Sequence, residues 1–181
     1  ALVAGAGVAI GAAWSGLLSN FAAGIFLLVL RPFTVGDYIV GGGVEGTVVE
    51  IGLFGTTINT PDNVRTLVGN SKIMGGDIRN FSVNPYRRVD LVAQLAGGAD
   101  LSKAIALLRA EVLQVANIQS AKGVDVEILE FNEFGPRLVV RPYCHTDHYW
   151  QVYFDTNQAI ARALGAGGFP VATRPVRVYN G

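Results

Sequence analysis

The spacing of apolar and polar positions divides this chain into distinct stretches. Residues 1–30 carry no charged side chain, and apolar or small residues fill nearly every position. About 18 or more such residues in a row are enough to propose a membrane span. A straight helix through all of them would run about 45 Å at about 1.5 Å per residue, longer than a hydrocarbon core of about 30 Å. The segment is therefore expected to tilt or break, at Gly16 or Gly24, where glycine holds a helix weakly. After residue 30 the period shortens. "FTVGDYIV", "VEGTVVEI" (44–51), "TTINT" (56–60), "VRTLV" (64–68) and residues 78–81 read as five short strands, with "GGG" at 41–43 and Pro61-Asp62-Asn63 as turns. Five strands in so short a stretch predict a small barrel or a strongly bent sheet.

From Arg88 the pattern mixes two periods. A strand with apolar alternation (Val89, Leu91, Ala93, Leu95) leads to Asp100, a helix N-cap. Apolar residues at 101, 104, 105, 108, 112 and 115 then mark one helix face. Strands at 124–132 and 137–143 are joined by "EFGP", a second helix runs from about Tyr149 to Leu164 and stops at Gly165, and 176–179 is a last strand. Strand-helix-strand-strand-helix-strand is the split pattern of ferredoxin-like domains.

Composition sharpens the first boundary. The 14 basic and 14 acidic residues all lie after residue 30, although mean hydropathy is +0.38 over the whole chain. The reading is a membrane-embedded start followed by a soluble part large enough for one or two cores. The start has no basic leader and is too long for a signal peptide, and its first residue is Ala, so an upstream portion is expected. Arg31, directly after the span, suits the cytoplasmic side. Net charge is zero without a basic run, which argues against nucleic acid as a partner. Cys144 is the single cysteine, so no intrachain disulfide framework exists.

The glycines of "VAGAGVAIGAAWSG" (3–16) admit two readings. A dinucleotide fingerprint needs Gly-x-Gly-x-x-Gly and an acidic residue about 20 positions later. Here Gly11 falls one residue late and no acid precedes Asp37. In a membrane helix, small residues bring backbones together, and Gly7 with Gly11, Gly5 with Ala9, and Ala9 with Ala13 stand four apart along one side. The packing reading prevails, and a nicotinamide-dependent enzyme is the poorer alternative.

"GLLSNFAAGIFLLVLRPFTVGDYIV" (16–40), "GVEGTVVEIGLFGTTINT" (43–60), "NSKI" (70–73) and "IRNFSVNPYRR" (78–88) resemble the MscS family of small-conductance mechanosensitive channels. The resemblance implies a bent, pore-lining transmembrane helix (1–31, bend near 16), an Sm/SH3-like β domain (32–83) and an α+β ferredoxin-like domain (84–181) with a C-terminal strand. It implies a homoheptamer in the inner membrane, multi-pass in the full chain, with cytoplasmic C-terminal domains and no cofactor. Its implied activity is a pore that opens under membrane tension and releases ions and small osmolytes on hypoosmotic shock. Its partners would be other copies of the chain, membrane lipids and the permeating solutes.

Carried over by position, Ala1, Gly5, Gly7, Ala9 and Gly11 correspond to the family's pore-helix packing residues. Gly16 corresponds to its bend, with Gly24 as a second flexible point. The family's leucine constriction falls on Val8 and Ala12, both smaller, which implies a wider or more easily wetted closed pore, or a constriction at another ring. Gly69 before Asn70 departs from the family's "PNS" or "PNG" and leaves that turn open.

Other groups carry weaker signals. Cys144, His145, Asp147 and His148 are possible zinc ligands, yet their spacing fits no standard site, and a polar helix entry capped by Asp147 is expected instead. Arg87-Arg88 reads as a solvated link between domains rather than an anionic-lipid contact. Asn20 reads equally as a gating contact with the β domain or as a cap on a second helical half. Trp14 reads as an interfacial anchor or a packing residue. No nucleophile, base and orienting group fall on adjoining elements, so no enzyme is expected. The alternative to a channel is a membrane-anchored regulatory or sensor module with a non-conducting pore.

Overall fold

The computed structural model describes the backbone of residues 2–174, and side chains except those at 2–6, 8–10 and 13. The chain divides into two compact units, Ala1–Asn84 and Pro85–Gly181.

In the first unit, helix α1 (Leu2–Leu30) is one unbroken helix of 29 residues. It does not break at Gly16 or Gly24, because both glycines stay within the helix. Asn20 Nδ2 also donates to the Gly16 carbonyl at 3.0 Å. Described side chains cover α1 continuously only from residue 14, and among the described residues no helix is long and apolar enough to cross a membrane.

Strands β1 (Tyr38–Gly41), β2 (Val44–Ile51), β3 (Gly55–Asn59), β4 (Arg65–Gly69) and β5 (Arg79–Asn80) form an antiparallel sheet in the order β4-β3-β2-β1-β5. This is the open, bent alternative rather than a closed barrel, since β4 and β5 remain edges. The β1–β2 hairpin turns through Gly42 and Gly43 at φ 59° and 78°, a geometry that two-residue hairpin loops favour and side chains resist. A bulge between Val48 and Glu50 bends β2. Leu27, Phe33, Ile39, Val48, Ile58, Val68 and Ile73 fill the core. Sequence periodicity did not anticipate helix α2 (Asn70–Met74), which is too short to show one.

The second unit begins with β6 (Arg87–Arg88), paired to β9 (Gly135–Cys144), so Arg87-Arg88 is a strand and not a free link. Arg87 lies 3.9 Å from the centroid of the Tyr149 ring, and Arg88 pairs with Asp90 at 3.0 Å. β7 (Leu91–Gln94) and β8 (Val124–Asn132) flank β9 antiparallel. Helix α3 (Leu101–Val112) starts where Asp100 accepts from the Lys103 N–H at 3.0 Å, the expected cap. Its buried face, Ala104, Leu108 and Val112, joins Val152, Ala159, Ile160 and Ala163 of α4 (Tyr149–Ala166) over the sheet.

Helix α4 runs past Gly165 to a cap at Gly167, whose N–H reaches the Ala163 carbonyl at 2.8 Å. Asp147 does not cap it. A 3-10 turn over Thr146–His148 precedes the helix, and the Asp147 N–H instead donates to His145 Nδ1. The described order in this unit is β6-β7-α3-β8-β9-α4, and the strand expected at 176–179 lies outside the described residues.

Candidate functional site

A polar constellation lies where α1 meets its sheet. An α-helix brings positions 20, 23, 24 and 27 onto one side, and on α1 these are Asn20, Ala23, Gly24 and Leu27. Ala23, Gly24 and Leu27 are buried, whereas Leu18, Phe26 and Val29 on other sides are exposed.

Asn20 Oδ1 accepts two hydrogen bonds from α2, from the Ser71 N–H at 2.9 Å and from Ser71 Oγ at 2.8 Å. α1 has no second N-terminus for Asn20 to cap, so its amide ties one element to another. Gly24 permits the approach: a Cβ there would lie 2.2 Å from the Leu53 carbonyl oxygen and 2.6 Å from Asn70 Nδ2. Its glycine therefore serves close contact. Gly69 plays the same part, since a Cβ there would lie 2.8 Å from Asn20 Oδ1. The departure at Gly69 thus makes room for the Asn20 side chain. Phe21 packs against Phe54 with ring centroids 5.8 Å apart.

Behind this contact Asn70 is fully buried and bonded at both ends of its amide. Its Oδ1 accepts from Thr56 Oγ1 at 2.9 Å, its Nδ2 donates to the Gly52 carbonyl at 2.8 Å, and its N–H donates to the Phe54 carbonyl at 3.1 Å. A buried amide satisfied on both ends fixes its surroundings, because any shift leaves a polar group unpaired at a cost of about 1–3 kcal/mol. The 52–54 loop and α2 are held together as one seat for α1. Sequence reasoning quoted Asn70 and Ser71 without a role and missed Thr56. The available signal was an amide flanked by glycine at a strand end, at the departure from the family turn.

Other sequence candidates fall away from this seat. A Cβ at Gly7, Gly11 or Gly16 would meet nothing within 4 Å. Ala12 and Trp14 are exposed. Ala1 lies outside the described residues, as do the side chains at Gly5, Val8 and Ala9. Cys144 is buried in the second core, while His145, Asp147 and His148 are exposed. Burial pushes the Cys144 thiol up from its ordinary pKa, against the opposing pull of Arg87. Among the described residues no three His, Cys, Asp or Glu side chains are grouped to hold a metal.

An uncharged helix seated on a bent five-stranded sheet, followed by a separate α/β unit, is a known architecture. The family profile described as mechanosensitive ion channel, beta-domain, matches residues 16–83. A small-conductance mechanosensitive channel of Edwardsiella ictaluri is 39% identical over 177 residues, covering 97% of this chain and 62% of that protein. An uncharacterized MscS family protein of Buchnera aphidicola subsp. Baizongia pistaciae is 33% identical over 171 residues, covering 94% and 61%. A closed-state crystal structure of Helicobacter pylori MscS superposes with a TM-score of 0.91 at 22% identity, covering 99% of this chain and 72% of that one. Arabidopsis thaliana MSL1 gives 0.74 at 20% identity, covering 93% and 63%. The chain belongs to the MscS family. It spans about three fifths of the length of the curated relatives it matches.

Proposed function

We propose that the full-length protein is a mechanosensitive ion channel, opened by membrane tension, that releases ions and small osmolytes on hypoosmotic shock. In this reading it is a homoheptamer in the inner membrane, multi-pass, with the β domain (32–83) and the α/β domain (84–181) on the cytoplasmic side, and α1 of each copy lines the pore. The observation that carries the reading is the contrast along α1. Its last third is seated on the sheet through Asn20, Gly24 and Leu27, while the residues around it are uncharged and their apolar side chains exposed. Such a surface needs lipid or other copies of the helix to cover it.

Ala1, Gly5, Gly7, Ala9 and Gly11 are assigned to packing between neighbouring pore helices. The open space around Gly7 and Gly11 within one chain supports that assignment. Val8 and Ala12 are assigned to the constriction. A bend at Gly16 is part of the proposal: among the described residues nothing lies within 4 Å of a Cβ built there, and Asn20 Nδ2 offers its carbonyl a partner. Asn20 is the gating contact, because its amide transmits movement of α1 to α2 and the buried Asn70 behind it.

Patch-clamp recording of the full-length protein in liposomes during a suction ramp tests this reading. Stepwise currents at a reproducible tension are expected, with Val8→Ser lowering the threshold. Silence up to membrane rupture, with intact oligomers in the same bilayer, would favour the regulatory or anchoring module instead.

A further inference from the structure

We propose that Asn80 is a second positioning residue for opening. Its amide clips the exit of α1 to the start of a short tether, Val83-Asn84-Pro85, so that the end of α1 cannot move without loading the second unit. The proposal rests on the reading of the protein as a tension-gated channel.

Asn80 ends β5, and both ends of its amide are engaged. Its Nδ2 donates to Asp37 Oδ2 at 2.8 Å and to the Pro32 carbonyl at 3.3 Å, across 43 and 48 positions of chain. Both acceptors belong to the turn that follows α1, where Asp37 Oδ2 also accepts from the Thr34 N–H at 2.9 Å. A hydrogen bond to a carboxylate is among the stronger kinds, so this turn is held firmly. On the other side, Asn80 Oδ1 accepts from the Ser82 N–H at 2.9 Å, and Ser82 Oγ accepts from the Tyr38 N–H at 2.9 Å. Phe81 gives its N–H to the Tyr38 carbonyl at 2.9 Å and sets its ring 5.9 Å from that of Tyr38. The chain is thus fastened to the exit of α1 as far as Ser82.

It is fastened again from Tyr86 onward. Lys122 Nζ lies 4.5 Å from the centroid of the Tyr86 ring, Tyr143 meets that ring edge-on at 6.3 Å, and Arg87-Arg88 pair with β9. Between the two fastenings Val83, Asn84 and Pro85 are exposed and make no hydrogen bond with the described residues. The boundary between the two units falls inside this stretch. From Ser82 to Tyr86 the chain reaches at most about 14 Å. Pro85 fixes its own φ and steers Asn84 toward extended backbone. A tether this short and stiff transmits a pull instead of absorbing it. Without the Asn80 amide, the turn after α1 would shift on its own. Slack placed within 83–85 should therefore reproduce the loss of Asn80, an outcome that a purely local role for this amide does not give.

Full-length protein in liposomes is recorded by patch clamp under suction. Wild type is compared with Asn80→Ala, with a Gly-Ser-Gly insertion between Asn84 and Pro85, and with both changes together. At the tension that opens half of the wild-type channels, each single change should raise the open-to-closed ratio by about threefold, within the range that coupling mutations span. The two together should give no more than the larger single effect, since a slack tether leaves the clip nothing to hold. Asp37→Asn, which keeps an acceptor for Asn80 Nδ2, should stay near wild type. Amide hydrogen exchange of the intact assembly in detergent reads the clip without currents. Asn80→Ala should speed exchange at Tyr38 and Ser82 by about tenfold and leave α3 and α4 unchanged.

An insertion that leaves the open-to-closed ratio unchanged or lowers it would overturn the proposal, because the tether then carries no load. A wild-type ratio for Asn80→Ala would remove Asn80 as the clip. Additive effects of the two changes would overturn it as well, by confining Asn80 to its own turn. Wild-type exchange at Tyr38 and Ser82 in Asn80→Ala would do the same whether or not the protein conducts. Silence of the wild type in intact oligomers, with exchange in Asn80→Ala faster as expected, would instead sink the channel reading and leave no opening for Asn80 to position.

Discussion

α1 and α4 bury the same kind of stripe and differ on every other side. On α1 the buried positions Ala23, Gly24 and Leu27 continue the line begun at Asn20, and on α4 they are Val152, Thr156, Ala159, Ile160 and Ala163. Both follow the helical period, so periodicity places each helix on its own sheet. Away from the seam, α4 shows Asn157, Gln158 and Arg162 to solvent, with Trp150 and Phe154 as its exposed aromatics. α1 shows Leu18, Phe26 and Val29, and it carries no charge anywhere. The docking stripe of a helix thus reports its neighbour in the chain, and the opposite face reports the medium around it.

The two seams also hold by different means, and mutation should separate them. α4 is held by aliphatic packing, α1 by close backbone approach and two amides. Gly24→Val should therefore do the greatest damage. It drives a side chain into the Leu53 carbonyl and the Asn70 amide, at a cost of about 3 kcal/mol or more. A thermal melt of the full-length protein in detergent should register it, and an unchanged melt would mean that α1 does not need this approach. Asn20→Ala should cost about 2 kcal/mol, because the Ser71 N–H and hydroxyl lose their acceptor in a half-buried place. Asn20→Asp, which keeps the acceptor, should recover part of it. Similar losses for both variants would show that the two bonds accepted by Oδ1 do not carry the effect, because Asp keeps both the acceptor and the shape of Asn. In the second unit Asp100→Ala should cost about 1 kcal/mol through the lost cap on α3, read as a lower denaturation midpoint with unchanged slope.

Much of the fold was legible because it is periodic. Alternation located β2, β3, β8 and β9, turn chemistry located Gly42-Gly43 and Pro61-Asp62-Asn63, and the 101–112 stripe located α3. What escaped was short or non-local. α2 has only five residues, β6 has two and is defined by its pairing with β9, and the 3-10 turn that precedes α4 is one that no spacing rule marks. The candidate site was half legible for the same reason. Asn20 stood out as a polar residue in an apolar run, but its partner Ser71 lies 51 positions away, and Thr56 looked like any strand threonine. Gly24 was singled out for flexibility, and the close approach that it also permits was not legible, because Leu53 and Asn70 are far along the chain.

The smallest effect comes from the second core, where a titratable group replaces an aliphatic one. Cys144 is buried against the sheet, and burial holds its thiol above the ordinary range near about 8.5. In the unfolded chain the thiol ionises at that ordinary value, so the unfolded state loses a proton first as pH rises. The fold then holds the protonated form at a growing cost. Stability from this group is complete below about pH 8.5 and declines as pH climbs toward the raised folded value. Melting curves of wild type and Cys144→Ala between pH 7 and 10 isolate it, because the other alkaline titrations are common to both proteins. At pH 7 the alanine variant should melt lower, having lost buried volume. Above pH 8.5 the gap should narrow, since only the wild type carries the penalty. Parallel curves across the range would show that the thiol ionises alike in the folded and unfolded chain, and that Cys144 is held in this core by its size alone.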